Sequence, residues 1–551
     1  MTGRREVLTR RAWRRADPVL VGRMSVWLVF LLGAKEALGQ ALQPASMRSA
    51  PGLTLVEAVR QTLAQDPNIR LQRLQVDYAK GVSQNAAGQF DVVLDTAFSQ
   101  GLTRTPLTEW ERIEQGRANV AEAVEHVVSY RMEISKQFRS GITVSPGVEV
   151  TRFADNLDQE RAANRASVSF IVTVPLLKGL GAAATDARER AARVSQEAAV
   201  LDLQQMIASR ILNTVSAYWN CLAAQQQLQV LMKSQEQAEE LVDGIGKLVK
   251  IGELPASEQL QAEADRADRT AARIVGEQRF WQTRQDLALA LGLALEKMAL
   301  PPEPADDFPD PDSNAPKSSV DLPSLLARSL ERRADYLSSL KVEEATQILL
   351  TAARKDLKPQ LDFNLEIGYA GLDEGSQFQH YYQSLDPRAV SGPNLLGTIS
   401  LKWPFANQTA RGLLAQRQAA QQQSVIRSQD LSRTIFSGIL VAWSEWERSL
   451  AALKQTMVAR QNYSQTVTNE RDKLLLGTGT TLDIITLADR LNSAQLNEIA
   501  AKARYAIGLA RVRFETGRLV QPGTTLDSPV SVEDLTSLPD WNWAITPKTQ
   551  P

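Results

Sequence analysis

Two hydrophobic rhythms alternate along this chain. Over residues 182–250 apolar positions return every three or four residues, as at Ile211, Val215, Tyr218 and Leu222, then Leu241, Ile245 and Leu248. A later stretch repeats the spacing with Trp446, Leu450, Leu453 and Met457. Gln, Arg, Glu and Lys fill the opposite face, so each helix carries one narrow stripe, as in a coiled coil. The pattern predicts helices over 53–87, 182–250 and 256–294, and again over 321–357, 406–476 and 481–517. At 1.5 Å per residue the first three are about 50, 100 and 60 Å long. The two shorter helices, end to end, match the longer one, which predicts four columns of equal length per chain. For the helices alone, an ordinary coiled coil fits equally well.

Between the helices the period drops to two. Leu361, Phe363, Leu365, Ile367 and Tyr369 alternate with Asp362, Asn364, Glu366 and Gly368, and Ile399, Leu401, Trp403 and Phe405 with Ser400, Lys402 and Pro404. In the first half Val168, Phe170, Val172 and Val174 oppose Ser169 and Thr173, while Val92, Leu94 and Phe98 oppose Asp95 and Ser99. Successive side chains of a strand point to opposite faces. Each segment therefore has one apolar and one polar face, as a membrane barrel strand requires. A soluble sandwich has strands of the same kind. Two more alternating segments, 130–138 and 142–150, flank Arg139-Ser140-Gly141 as a hairpin. They either add staves to a barrel or project from it.

The chain also repeats itself. Setting Gly252 on Gly477 gives an offset of about 225 that places Glu258 on Asp483, Tyr218 on Trp443 and Gly292 on Gly517. Pro175 answers Pro404, and Leu53 answers Leu322. Two copies of one unit, 53–300 and 320–520, are joined by a proline- and aspartate-rich linker, 301–319, that continues neither helix nor sheet. A tail of low periodicity follows from 521 to 551.

Composition narrows the compartment. Seven arginines precede the apolar run Val26–Leu32, and Ala37-Leu38-Gly39 ends it with small residues. This is the layout of a secretory signal peptide over 1–39, with Met24 an alternative start. The apolar run is too short for a membrane-spanning helix, and no cysteine follows it for lipid attachment. The net charge of -1 gives no basic excess for nucleic acid. A single cysteine, Cys221, excludes an intramolecular disulfide and reads as a small core residue. His126 and His380 stand outside any metal-ligand pattern. No nucleotide loop, nucleophile elbow or catalytic dyad occurs, which argues against an enzyme and against a cofactor. Trp219, Trp443 and Trp446 lie on helical stripes and read as packing. Export, repetition and the lack of any other apolar span favour the barrel over the sandwich.

These features resemble the outer-membrane efflux protein family, the TolC-like channels, over about residues 53–520. The resemblance rests on Leu53-Thr54-Leu55-Val56-Glu57-Ala58-Val59 with Asn68 after Asp66-Pro67, and on the junction Val174-Pro175-Leu176-Leu177-Lys178-Gly179-Leu180-Gly181. Its third element is Gly477-Thr478-Gly479-Thr480-Thr481-Leu482-Asp483-Ile484-Ile485. It implies a mixed α and β fold: strands forming a barrel in the outer membrane and long helices forming a trimeric α-barrel across the periplasm. It further implies docking to a periplasmic adaptor and an inner-membrane transporter, for drug efflux or type I secretion, with no cofactor.

The resemblance also implies a gate at the periplasmic tip, around Gly252 and Gly477. Asp483 matches the family's first gate aspartate and Glu258 takes the equivalent place in the other half. Threefold symmetry would make each a ring of carboxylates that attracts cations. Thr486 stands where a second acidic residue would lie, and Gly479 where a gate arginine can occur. Asp483 reads equally well as a helix-capping residue. Gly252, Leu254, Gly477 and Thr478 are the turn residues placed for adaptor contact, although a turn alone explains the glycines. An exported coiled-coil protein and a periplasmic adaptor are the competing readings.

Overall fold

The computed structural model describes residues 52–114, 119–156, 162–312, 322–386, 388, 390–475, 478, 480–520 and 535–537. The signal segment, Gly477, Gly479, the second part of the linker and almost all of the tail lie outside the described residues. Helices α1 (Leu55–Gln65) and α2 (Pro67–Ala87) lead into strand β1 (Val92–Pro106). After the short α3 (Glu109–Glu114) come β2 (Glu122–Gln137), β3 (Thr143–Asp155) and β4 (Ala163–Pro175). A single turn, α4 (Ala182–Thr185), precedes the long α5 (Ala187–Lys250) and α6 (Ala256–Ala290). The second half runs α7 (Leu322–Leu330), α8 (Ala334–Lys355), β5 (Gln360–Glu374), α9 (Phe378–Gln383), β6 (Val390–Lys402), α10 (Gln408–Leu475) and α11 (Thr481–Glu515).

The opening helix of each half is broken where one continuous helix was expected. At the first break Pro67 occupies the first helical position and Asp66 caps α2, accepting from the N–H groups of Asn68 (2.7 Å) and Ile69 (3.1 Å). A proline there sacrifices no helical hydrogen bond, but it pushes the preceding residue out of helical geometry. At the second break Arg333 precedes α8 without a side-chain cap. Each break packs against the C-terminal turn of the helix that closes its half. Gly292 and Gly517 both have φ of +68°, and a Cβ at Gly292 would lie 2.9 Å from the Asp66 backbone. At Gly517 it would lie 3.1 Å from the backbone between Arg332 and Arg333. Both glycines close Schellman turns, through Leu293 N–H to Ala288 O (3.1 Å) and Arg518 N–H to Arg513 O (2.8 Å). The joint therefore needs glycine twice over, for the backbone and for the approach.

Each joint is pinned by a buried ion pair of opposite sense. In the first half the fully buried Asp66 accepts from Arg210 at 2.8 Å. In the second, the buried Arg333 bridges Asp335 (2.6 Å) and Glu515 (2.8 Å). The main core surrounds the first joint: Leu55, Val59 and Ile69 meet Ile211, Val215, Tyr218 and Trp219 of α5 and Leu287 and Leu291 at the end of α6. The Tyr218 hydroxyl lies 2.8 Å from the Leu53 carbonyl and accepts from the N–H groups of Ala305 and Asp306. Burial raises its pKa above the ordinary phenol value. The described part of the linker, residues 301–312, forms no helix or strand, but it packs on the opening helix: Leu53 pairs with Pro304 as an isolated parallel bridge and Asp306 caps the Leu55 N–H at 2.6 Å. Proline lacks a donor but keeps its neighbours' carbonyls available.

The helices lie in four columns. The long α5 packs α2 and α6 on one side and α8 and α11 on the other, and α10 packs on α7, α8 and α11. Their order across the bundle is α2 with α6, then α5, then α8 with α11, then α10. Trp446, Tyr505, Leu453 and Leu509 form the α10–α11 core. At 1.5 Å per residue the 64-residue α5 is about 96 Å long.

Among the described residues six strands form one antiparallel sheet in chain order, β1 to β6. The hairpin β2–β3 stands inside the ladder, paired with β1 on one side and β4 on the other, so it supplies staves and does not project. Strands of 13 to 16 residues exceed the roughly ten-residue segments legible in the sequence. The extra residues are polar: Arg104 pairs with Glu122 at 3.2 Å beyond the apolar stretch. Backbone pairing continues where hydrophobic alternation stops. β6 is the reverse case, ending at Lys402 before Trp403-Pro404-Phe405. Pro404 offers no N–H to a ladder, and Trp403 and Phe405 stack on each other outside it, ring centroids 6.1 Å apart.

Candidate functional site: the strand wall and the helical tip

The register sorts the sheet into two chemically different faces. Across one row Thr96, Met132, Val148, Val168 and Tyr369 stand side by side. The next row, on the other face, reads Asp95, Glu133, Gly147, Ser169 and Gly368, and the row above it on that same face Ala97, Arg131, Glu149, Ser167 and Ala370. Arg131 holds Glu133 at 2.8 Å. Phe98 and Tyr130 pair at mid-strand, where the continuous apolar stretch ends, and Tyr381 joins them, with centroids 4.7 and 5.2 Å apart. Phe138, Trp403 and Phe405 lie toward the helical end, all exposed. An apolar band with aromatic residues at both margins and a polar reverse face is the surface pattern of a membrane barrel wall. Among the described residues no helix is long and apolar enough to cross a membrane.

The sheet is fastened to the helices at its lower edge. Arg139, in the β2–β3 turn, forms a two-pronged ion pair with the buried Glu189 in the first turn of α5, both contacts 2.8 Å. The same guanidinium lies over the Phe90 ring at 4.9 Å. The Arg139 hydrogen bond holds the Glu189 carboxyl below the usual carboxylate range, against the opposing effect of its burial. Gly141, at φ +95°, brings the turn so close to the β4–α4 connection that a Cβ would sit 2.3 Å from the Gly179 carbonyl.

The long helices carry both helix-to-helix turns to the end opposite the sheet. At the first, Gly252 has φ +83° and closes a Schellman turn, with its N–H on Val249 O (3.1 Å) and the Glu253 N–H on Leu248 O (3.0 Å). Nothing lies within 4 Å of where its Cβ would be, so only the backbone requires glycine. Leu254 and Glu258 are half-buried, and Glu258 sits in the first turn of α6. At the second, Thr478 donates to the Lys473 carbonyl at 3.2 Å, and Thr480 caps α11. The Thr480 hydroxyl accepts from the Asp483 N–H (3.2 Å) and meets the Asp483 carboxylate at 2.6 Å. Asp483 thus takes the cap through its N–H and accepts from the Thr480 hydroxyl, while its side chain stays exposed. Thr486, one turn on, is exposed. Asp483 and Glu258 occupy matching places, each in the first turn after its reversal.

A cluster about 20 Å from the tip along α6 escaped the sequence reading. Arg269, buried, meets Asp265 of its own helix (3.1 Å) and Asp489 of α11 (2.6 Å), and donates to Ser234 of α5 (3.2 Å). Asn492 of α11 donates to the same Ser234 oxygen at 2.6 Å. Burial raises the Asp265 pKa, with Arg269 opposing the shift. The cluster ties the two halves together near the tip. Its only sequence signal was the Asp265–Arg269 spacing of four, which any exposed helix pair shares.

No protein-family model and no curated protein sequence matches the chain. Solved structures do. The Campylobacter jejuni outer membrane channel CmeC superposes with a TM-score of 0.64 at 14% identity, covering 91% of this chain and 95% of that one. The outer-membrane channel OprN gives 0.61 at 16% identity over 84% and 89% of the two chains. The outer membrane protein VceC of Vibrio cholerae gives 0.59 at 15% identity over 84% and 96%. At such low identity the likeness concerns the fold: the chain has the TolC-like fold of the outer-membrane efflux channels.

Proposed function

We propose that three copies of this chain form an outer-membrane channel, the passive exit duct of a tripartite efflux pump or type I secretion system. One observation carries the reading: among the described residues a single sheet with an apolar and a charged face ends in two unpaired edges, above a helix bundle whose two flanks are also unpartnered. Hydrocarbon offers nothing to an open strand edge, so a sheet within it must close. β1 is exposed along its whole length and β6 along nearly all of it, and they run antiparallel to each other. The flank below β1 presents Leu71, Leu74 and Tyr78 of α2; the flank below β6 presents Ile426, Phe436 and Val441 of α10. Joining β6 of one copy to β1 of the next would cover both pairs of surfaces in one head-to-tail contact, which closes into a ring. The apolar face then meets outer-membrane lipid and the charged face lines a water-filled path.

In this reading the helices cross the periplasm and the tip turns meet a periplasmic adaptor joined to an inner-membrane transporter. Gly252, Leu254, Gly477 and Thr478 are the proposed contact turns. Rings of Asp483 and Glu258 draw cations to the constriction, while Thr486 and Gly479 leave it less charged. The repeat of two units, 53–300 and 320–520, is supported by the matched joints at Gly292 and Gly517. No bond is made or broken by the protein; the partner pump supplies the energy. Membrane fractionation with heated and unheated electrophoresis tests the proposal. Recovery in the outer membrane as a trimer that dissociates on heating is expected, whereas a soluble periplasmic monomer contradicts it. That second outcome would favour an exported coiled-coil or adaptor-type protein, which would leave the apolar sheet face bare.

A further inference from the structure

We infer that the assembled barrel has eighteen strands, two of every six supplied by the β2–β3 hairpin. The inference rests on the trimeric channel proposed above. Each copy offers six strands in unbroken neighbour order, so three copies close a ring of eighteen. With strands about 4.8 Å apart and tilted about 40°, such a barrel is about 36 Å across between backbones. The tunnel has four columns per copy and therefore twelve in all. Packed about 9–10 Å apart, they make a cylinder of about 34–38 Å. The two walls agree.

Three features make the hairpin an integral part of the wall. It pairs along most of its length with both neighbours. Its turn is locked to the helices by the Arg139–Glu189 ion pair and by the Gly181 N–H bond to the Ser140 carbonyl (3.0 Å). Its side chains continue both faces of the sheet, Met132 and Val148 on the apolar face, Arg131, Glu133 and Glu149 on the charged one. It is also removable in principle. β1 and β4 are antiparallel, and the chain leaves β1 and enters β4 at the same end of the sheet. Joining Leu107 to Ala162 by a short Gly-Ser linker would let β1 pair directly with β4.

Electron cryomicroscopy of the purified full-length trimer tests the inference by counting strands in cross-section. Eighteen strands and a backbone diameter near 36 Å are expected. A trimer with any other strand number, or with β2–β3 outside the wall, overturns the inference and leaves the channel reading standing. Recovery of no trimer overturns both. In the hairpin-less chain the expected result is a trimer whose barrel narrows by about a third while the tunnel is unchanged. A folded hairpin-less trimer of undiminished barrel width overturns the hairpin's place in the wall, and the count on the full-length chain decides the inference if that variant does not fold.

Discussion

Single side chains separate strain from packing in this molecule. Gly252 and Gly292 both sit at positive φ, but only Gly292 has neighbouring backbone where a Cβ would go. We expect Gly252→Ala to cost about 1 kcal/mol, the left-handed backbone penalty alone. Gly292→Ala adds a clash with an immovable joint and is expected to cost about 3 kcal/mol; a difference in melting temperature between the two variants is the check. Glu189 gives a pH signature. Held below its ordinary value when folded, it stabilises the protein above the unfolded carboxylate value of about 4.3 and loses that contribution as pH falls through the folded value. Glu189→Gln should lower the melting temperature at pH 7, and its effect should shrink as the pH falls below the unfolded carboxylate value. Cys221 is buried and its thiol is pushed up to about 12, so it should resist alkylation until the protein unfolds. Asp483 has two claims on it, the cap and the gate. Asp483→Ala is expected to weaken cation block in single-channel recordings, whereas Thr480→Ala, which keeps the carboxylate, should leave block intact; equal effects would make Asp483 a cap only.

Elements were legible where one period ran without interruption. The stripes that predicted 182–250 and 406–476 appear as α5 and α10, because a long helix in a bundle repeats the same packing problem every turn. The opening helices misled because periodicity continues across Asp66-Pro67, although proline at that place marks a boundary on its own. Strand lengths were underestimated because Arg104, Glu122 and Asp155 keep the ladder without the alternation. The joints themselves were invisible: nothing local links Asp66 to Arg210 or Arg333 to Glu515, which meet only when helices far apart in sequence converge. Asp66 is both cap and counter-ion, so Asp66→Ala should destabilise the fold by about 3–4 kcal/mol. In chemical denaturation that loss should exceed the one for Thr480→Ala, where an exposed cap alone is removed.

At the scale of the whole molecule, one chain is an unfinished object. Among the described residues its sheet has two bare edges and its bundle two bare flanks, and the edge that carries β1 stands over the flank made by α2 while β6 feeds α10. The faces of the sheet were readable from alternation, whereas the count of six strands was not, since a hairpin that joins a wall and one that leaves it have the same sequence pattern. The Arg269 cluster, joining α5, α6 and α11, was hidden for the same reason as the joints. Cysteine pairs placed along the exposed faces of β1 and β6, around Ser99 and Thr398, test the account most directly. Oxidation in intact outer membranes should yield a covalent ladder ending at three copies. Only monomers across the whole panel of pairs would contradict the closed ring.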